Sequence, residues 1–128
     1  MKVMIIDDDV VFASELAQAI ASAGYAVECC HDSVAAVNRV QAAKPDLMLL
    51  DISMPRLNGY QVAYYLRRFQ DTAKIPIVGI SAFAEKLEAN GTGSAFGMDA
   101  FMAKPIVPEA LLALIGRLVQ APAAGIGP

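Results

Sequence analysis

The chain has 128 residues, 56% of them hydrophobic, with 10 basic and 13 acidic side chains giving a net charge of -3. That length predicts one domain able to bury about two thirds of its unfolded surface, and the negative charge argues against direct nucleic-acid binding. No apolar run approaches the ~20 residues a membrane span needs, and Lys2 followed so soon by Asp7–Asp9 makes no leader, so a cytoplasmic chain without membrane insertion is expected.

Lys2–Ile6 reads as a first strand, apolar and nearly continuous. Val11–Ala23 follows as a helix, with Phe12, Leu16, Ala19, Ile20 and Ala23 at three- and four-residue spacing, and Gly24 stops it. Tyr25–Cys30 alternates enough for a half-covered or edge strand. Its adjacent Cys29 and Cys30 point to opposite faces, one into the core and one semi-exposed. Neither they nor the lone His31 have the spacing of a metal or redox motif. Asp32 or Ser33 is expected to cap a helix through about Ala43 that presents Val34, Val37 and Val40/Gln41. After Pro45, the short and uniformly apolar Leu47–Leu50 suits a central parallel strand covered on both faces.

Gly59 precedes a third helix to about Gln70, with Val62, Tyr65, Leu66 and Phe69 as its stripe and Arg67-Arg68 on its solvated face. Pro76 leads into a fourth strand, Ile77–Ile80. Glu85–Ala89 looks helical, yet Gly91 and Gly93 would each cost about 1 kcal/mol inside a helix. A short or broken fourth helix is expected there, with Asn90–Gly93 the most mobile stretch. Ala100–Ala103 is the fifth strand, and the last helix runs from near Pro108 to about Gln120. Its Leu111, Leu112, Leu114, Ile115, Leu118 and Val119 cover an arc of about 160°, against roughly 100° for an ordinary core stripe. The surplus reads either as broad burial or as a contact surface, with Leu112 or Val119 at its exposed margin. The division falls at residues 1–120, one folded domain, and 121–128, an Ala/Gly/Pro-rich flexible tail or linker stub.

Strands alternating with helices predict an α/β fold, a doubly wound five-stranded parallel sheet with right-handed crossovers. In such sheets chemistry collects at the carboxyl ends of the strands. Four of the five strands end on groups that belong together there: Asp7-Asp8-Asp9, Asp51, Ser81 and Lys104-Pro105. Clustered carboxylates repel one another unless a cation compensates. An all-oxygen donor set suits Mg²⁺ or Mn²⁺, and an aspartate is a recognised phosphoryl acceptor. At least one of Asp7, Asp8 and Asp9 is expected to cap the following helix instead. Strand order is not fixed by composition, although 2-1-3-4-5 would bring Asp7, Asp8 and Asp51 together.

The quoted strand ends, with Pro45-Asp46-Leu47-Met48-Leu49-Leu50-Asp51, Met54-Pro55, Asn58-Gly59, Ser81-Ala82 and Gly97-Met98-Asp99-Ala100-Phe101-Met102-Ala103-Lys104-Pro105, resemble the receiver domain of two-component response regulators over about residues 1–120. The resemblance implies the flavodoxin-like receiver fold, order 2-1-3-4-5. It implies Asp51 as phosphoacceptor, Asp8 as a direct Mg²⁺ ligand and Asp7 as a direct or water-mediated one, with the Ser53 carbonyl completing the protein ligands. Ser81 matches the switch hydroxyl, Phe101 the aromatic that turns inward with it, Lys104 the phosphate-contacting lysine, and Lys104-Pro105 a cis bond.

The implied function is a phosphorelay signalling module, not an enzyme with independent turnover. It would take a phosphoryl group from a histidine kinase or histidine phosphotransfer domain and switch binding to a downstream protein or to its own output domain. The last helix is a candidate homodimer face on phosphorylation. Two departures touch the usual signalling surface: the Ser81–Lys104 segment is about one residue longer than usual, with Asn90-Gly91-Thr92-Gly93 where the family commonly has a continuous helix, and Phe101 lacks a tyrosine's hydroxyl. The eight residues after the last helix hold no output module, so a stand-alone receiver and an excised one are both open. A phosphorylation-independent interaction adaptor is the alternative reading. A small Mg²⁺-dependent phosphatase or hydrolase comes last, because no second acid/base group is in view.

Overall fold

The computed structural model describes residues 1–82 and 97–126. β1 (Lys2–Ile6), β2 (Ala26–Cys30), β3 (Leu47–Asp51), β4 (Ile77–Ser81) and β5 (Ala100–Ala103) form one parallel sheet in the order β2-β1-β3-β4-β5. The helices among the described residues are α1 (Val10–Ser22), α2 (Ala36–Ala43), α3 (Gly59–Arg68) and α4 (Pro108–Ile126). This is the doubly wound, flavodoxin-like receiver fold. The expected fourth helix at Glu85–Ala89 and the Asn90–Gly93 stretch lie outside the described residues.

The alternation of side chains along β1 and β3 divides the core. Met4, Ile6, Met48 and Leu50 pack with Val40 of α2 and Val62 and Leu66 of α3. Val3, Ile5, Leu47 and Leu49 pack on the other face with Leu16 and Ile20 of α1 and Leu111 and Ile115 of α4. β3 is buried at all five positions, the four of its apolar run and Asp51 after them, whereas β2 at the sheet edge buries only Cys30 fully. Each fully buried Leu or Ile contributes about 1.5–3 kcal/mol, so these two layers hold the strand ends firmly.

Several local expectations are corrected. Neither Asp32 nor Ser33 caps α2, which starts at Ala36 behind Ala35 with no side-chain cap. Asp32 Oδ1 accepts instead from the Val34 N–H and the Arg56 guanidinium, both at 3.0 Å. Ser33 Oγ donates to the Pro55 carbonyl at 2.9 Å and accepts from the Leu57 N–H at 3.2 Å. Val34, in the turn ahead of the helix, is exposed. In α3 the buried face is Gly59, Val62, Ala63 and Leu66, while Tyr65 and Phe69 are exposed; the helix ends at Arg68 because Phe69 is already extended.

Its start is firmer than its sequence suggested. Asn58 Oδ1 accepts from the Gln61 N–H and Gln61 Oε1 from the Asn58 N–H, a complete capping box.

Arg68 fits a solvated face, donating to the Tyr64 hydroxyl at 3.1 Å. Arg67 does not. Its guanidinium donates to the carbonyls of Gly97, Ala73 and Ile75 at 2.7–2.9 Å and of Thr72 at 3.4 Å, and to Asp99 Oδ2 at 3.0 Å. Asp99 Oδ2 also accepts from the Ile77 N–H at 2.8 Å. Arg67 thereby ties the α3 end to the starts of β4 and β5.

The wide apolar arc of α4 is mostly spent on the core. Leu111, Leu114, Ile115 and Val119 are buried, and Leu112 and Leu118 are partly buried against the same cluster. Val119 is therefore not an exposed margin; Leu112 is the nearer approach to one. The α4 backbone continues to Ile126 rather than ending near Gln120.

Candidate functional site

Register assembles the site. Ile6 pairs with Leu50 across β1 and β3, so the next residues, Asp7 and Asp51, emerge side by side. Ser81 pairs with Ala103 across β4 and β5, and the Lys104 N–H donates to the Ser81 carbonyl at 3.0 Å. Lys104 thus starts its reach from the adjoining strand end, behind a Lys104-Pro105 peptide bond that is cis.

Oxygens of Asp7, Asp8 and Asp51 lie within 4.8 Å of one another. Asp7 is 1% exposed and Asp51 3%, whereas Asp8 stands exposed at the mouth. Asp7 Oδ1 accepts the Asp9 N–H at 2.9 Å; its buried Oδ2 has no hydrogen-bond partner. Asp51 Oδ1 accepts the Ser53 N–H at 3.3 Å. The Lys104 ammonium sits 3.5 Å from Asp51 Oδ1 and 3.6 Å from Asp7 Oδ2. Asp9 belongs to the helix instead, its Oδ1 capping α1 by accepting the Phe12 N–H at 3.0 Å.

One ammonium does not balance this much buried negative charge. Burial, then the Asp7 charge, pushes the Asp51 carboxyl up to about 6 from its ordinary 3.8, against the opposing pull of Lys104. Burial likewise raises Asp7, only partly offset by the Asp9 N–H and by Lys104. An all-oxygen donor set and an orphaned buried carboxylate oxygen fit a hard divalent cation. The cluster could hold a metal ion.

Ser81 is buried at the end of β4. Phe101 is 8% exposed, and its ring lies over Gly79, where a Cβ would come within 2.7 Å of a ring carbon. A second close approach lies at the Asp51 backbone: a Cβ at Gly59 would lie 2.5 Å from the Asp51 carbonyl oxygen. Only glycine lets α3 begin so near β3.

Three contacts escaped the sequence reading. The Lys104 ammonium lies 4.6 Å from the centre of the Phe12 ring. His31 Nδ1 is 2.9 Å from the Asp7 carbonyl; since a carbonyl only accepts, that nitrogen carries the proton. Gly59 was expected just ahead of the third helix, which it in fact begins, but not as the neighbour of Asp51. Chain separation hides the first two. Asn58-Gly59 before an apolar helix was the available signal for the third.

Residues 3–116 match the model of the response regulator receiver domain. The chain belongs to that family. Among curated proteins it is similar to the response regulator MprA of Mycobacterium avium, 32% identical over 120 residues, covering 94% of this chain and 51% of that one. MprA of Mycobacterium tuberculosis matches to the same extent. The chain thus spans about half the length of the curated relatives it matches.

Among solved structures it is similar to the chemotaxis protein CheY4 of Vibrio cholerae, with a TM-score of 0.84, 27% identity, and coverage of 91% of this chain and 97% of that one. The fold is shared with the signal receiver domain of a signal transduction histidine kinase from Syntrophus aciditrophicus, TM-score 0.83, 24% identity, covering 98% and 92% of the two chains. A member of this family is a signal-transduction receiver rather than an enzyme with independent substrate turnover. No helix among the described residues is long and apolar enough to cross a membrane.

Proposed function

We propose that this receiver is a phosphorylation-switched signalling module whose acceptor is Asp51, with residues 1–120 carrying the function. The observation that supports this best is the Asp51 carboxylate: buried beside Asp7 and Asp8, with Lys104 3.5 Å away and a rigid backbone behind it. An Asp51 oxygen attacks phosphorus as the bond from phosphorus to the donor breaks, and the leaving group departs with that electron pair and takes up a proton. Family membership favours a histidine kinase or histidine phosphotransfer protein, with a phosphohistidine nitrogen as the leaving group, in the cytoplasm.

Asp7, Asp8 and Asp51 would hold Mg²⁺, or Mn²⁺ in its place, with the Ser53 carbonyl as a further ligand. When bound, that cation would supply charge neutralisation for the phosphoryl oxygens. Lys104 turns from the carboxylates toward one of those oxygens, and the Ser81 hydroxyl donates to another. Drawing Ser81 toward the phosphoryl group couples it to the Phe101 ring, and the changed surface is read by a partner protein, an output region or a second copy of the chain.

Incubation with acetyl phosphate and Mg²⁺ should raise the intact mass by one phosphate, about 80 Da, and Asp51→Asn should abolish the gain. An unmodified wild type under saturating donor would favour the phosphorylation-independent adaptor instead. Asp8→Ala should weaken Mg²⁺ binding in the same protein, and unchanged affinity would remove Asp8 from the ligand set.

A further inference from the structure

Lys104 has three N–H donors and no close hydrogen bond to either carboxylate, its ammonium standing 3.5 Å from Asp51 and 3.6 Å from Asp7. Charge-assisted N–H···O bonds close to about 2.7–2.9 Å when nothing prevents it. The ammonium also stands over the ring of Phe12, 4.6 Å from nitrogen to centroid, inside the roughly 6 Å range of a cation–π contact.

The ring is there because of local structure. Asp9 caps α1 through the Phe12 N–H, which sets Phe12 in the first turn, directly behind the acidic strand end. Its side chain is half-buried and packs on the core face shared with Leu16, Ile106 and Met102.

We infer that Phe12 is a positioning residue for phosphoryl transfer: its ring face holds the Lys104 ammonium between Asp7 and Asp51 without letting it collapse onto either. The inference rests on the proposal that Asp51 is the acceptor. A lysine locked into a short pair with Asp51 would occupy the nucleophile and be slow to turn to an incoming oxygen. A lysine with no partner would be hydrated and displaced outward. A ring offers attraction spread over its face and no acceptor atom, so the ammonium keeps its charge near the site and its donors available.

The test replaces Phe12 with fluorinated phenylalanines of increasing substitution, which weaken the ring's negative face while keeping its shape, and with Leu and Trp. The rate of Asp51 modification by acetyl phosphate at fixed Mg²⁺ should fall stepwise with fluorination, by roughly fivefold at the limit. Leu should fall at least as far, and Trp should keep the wild-type rate. In parallel, the Lys104 ε-methylene protons should show an upfield ring-current shift in the unmodified protein that is absent in the Leu variant. A rate indifferent to fluorination, or Leu matching Phe, would overturn the positioning role. Failure of wild type itself to gain phosphate, with the ring-current shift present, would sink the acceptor reading while leaving the Phe12–Lys104 contact standing.

Discussion

Two cations meet aspartates at opposite ends of the sheet. At the amino ends of β4 and β5, Arg67 finds four carbonyls and Asp99, most of them at 2.7–3.0 Å, and Asp99 also takes the Ile77 N–H. At the carboxyl ends, Lys104 hangs at 3.5 and 3.6 Å from two carboxylates, one of which keeps an oxygen without a hydrogen bond. The planar guanidinium fork suits fixed acceptors and the ammonium is a movable point charge. A cation held by short hydrogen bonds closes a structure; one held by longer ion pairs keeps its N–H donors available to a ligand.

The sharpest way to break this contrast is Arg67→Ala, which strips a partner from each of those carbonyls and from Asp99. It should cost about 3 kcal/mol, read from urea unfolding at neutral pH, with the Mg²⁺ affinity of the folded protein unchanged. A loss under about 1 kcal/mol would mean water replaces the arginine and the clamp is ordinary surface.

Next in size is the effect of Asp51→Asn on metal-free protein. The folded-state Asp51 carboxyl lies near 6, above its ordinary 3.8, so the folded state binds that proton more tightly than the unfolded state. The wild type should therefore gain stability as pH falls from 7 through 6 toward 4, and lose it on the way back. The variant should be more stable at pH 7 by about 2 kcal/mol and follow a flatter profile over that window. Added Mg²⁺ should narrow the gap by stabilising only the wild type. Parallel pH profiles for the two proteins would show that the acidic cluster carries no electrostatic cost.

The smallest change expected is Lys104→Met, at no more than about 1 kcal/mol. Asp51, already near 6, takes up a proton rather than stay an unpaired buried charge. A loss as large as that of Arg67→Ala would erase the distinction between the two ends.

The acidic cluster at the carboxyl end could be read from sequence because each of the carboxylates, the hydroxyl and the lysine there follows an apolar run that announces a strand. Register then does the assembly: once Ile6 sits beside Leu50, Asp7 and Asp51 are neighbours. The structural end could not. Arg67 was taken for solvated surface because nothing in an Arg-Arg doublet reveals the carbonyls of residues 72, 73, 75 and 97, which the fold alone brings to it. Phe12 was placed in the α1 stripe, but its second face toward Lys104 depends on a residue more than ninety positions away. Asp32 and Ser33 had the chemistry of caps and spent it on Arg56 and the Pro55–Leu57 loop, contacts across chain distance that propensity does not weigh. Tyr65 and Phe69 kept helical spacing but fell outside the buried face, which the small Gly59 and Ala63 occupy.

The missing side chain at Gly59 has a mechanical consequence. With the Asp51 carbonyl oxygen in contact distance and the Gly59 N–H donating to the Ile52 carbonyl at 2.9 Å, the end of β3 and the start of α3 are butted together like two stones without mortar. The carboxylate of Asp51 is therefore mounted on an anvil rather than a spring. A group added to it cannot push the main chain backward; the recoil has to travel forward, through the side chains facing it and the strand ends that carry Ser81 and Lys104.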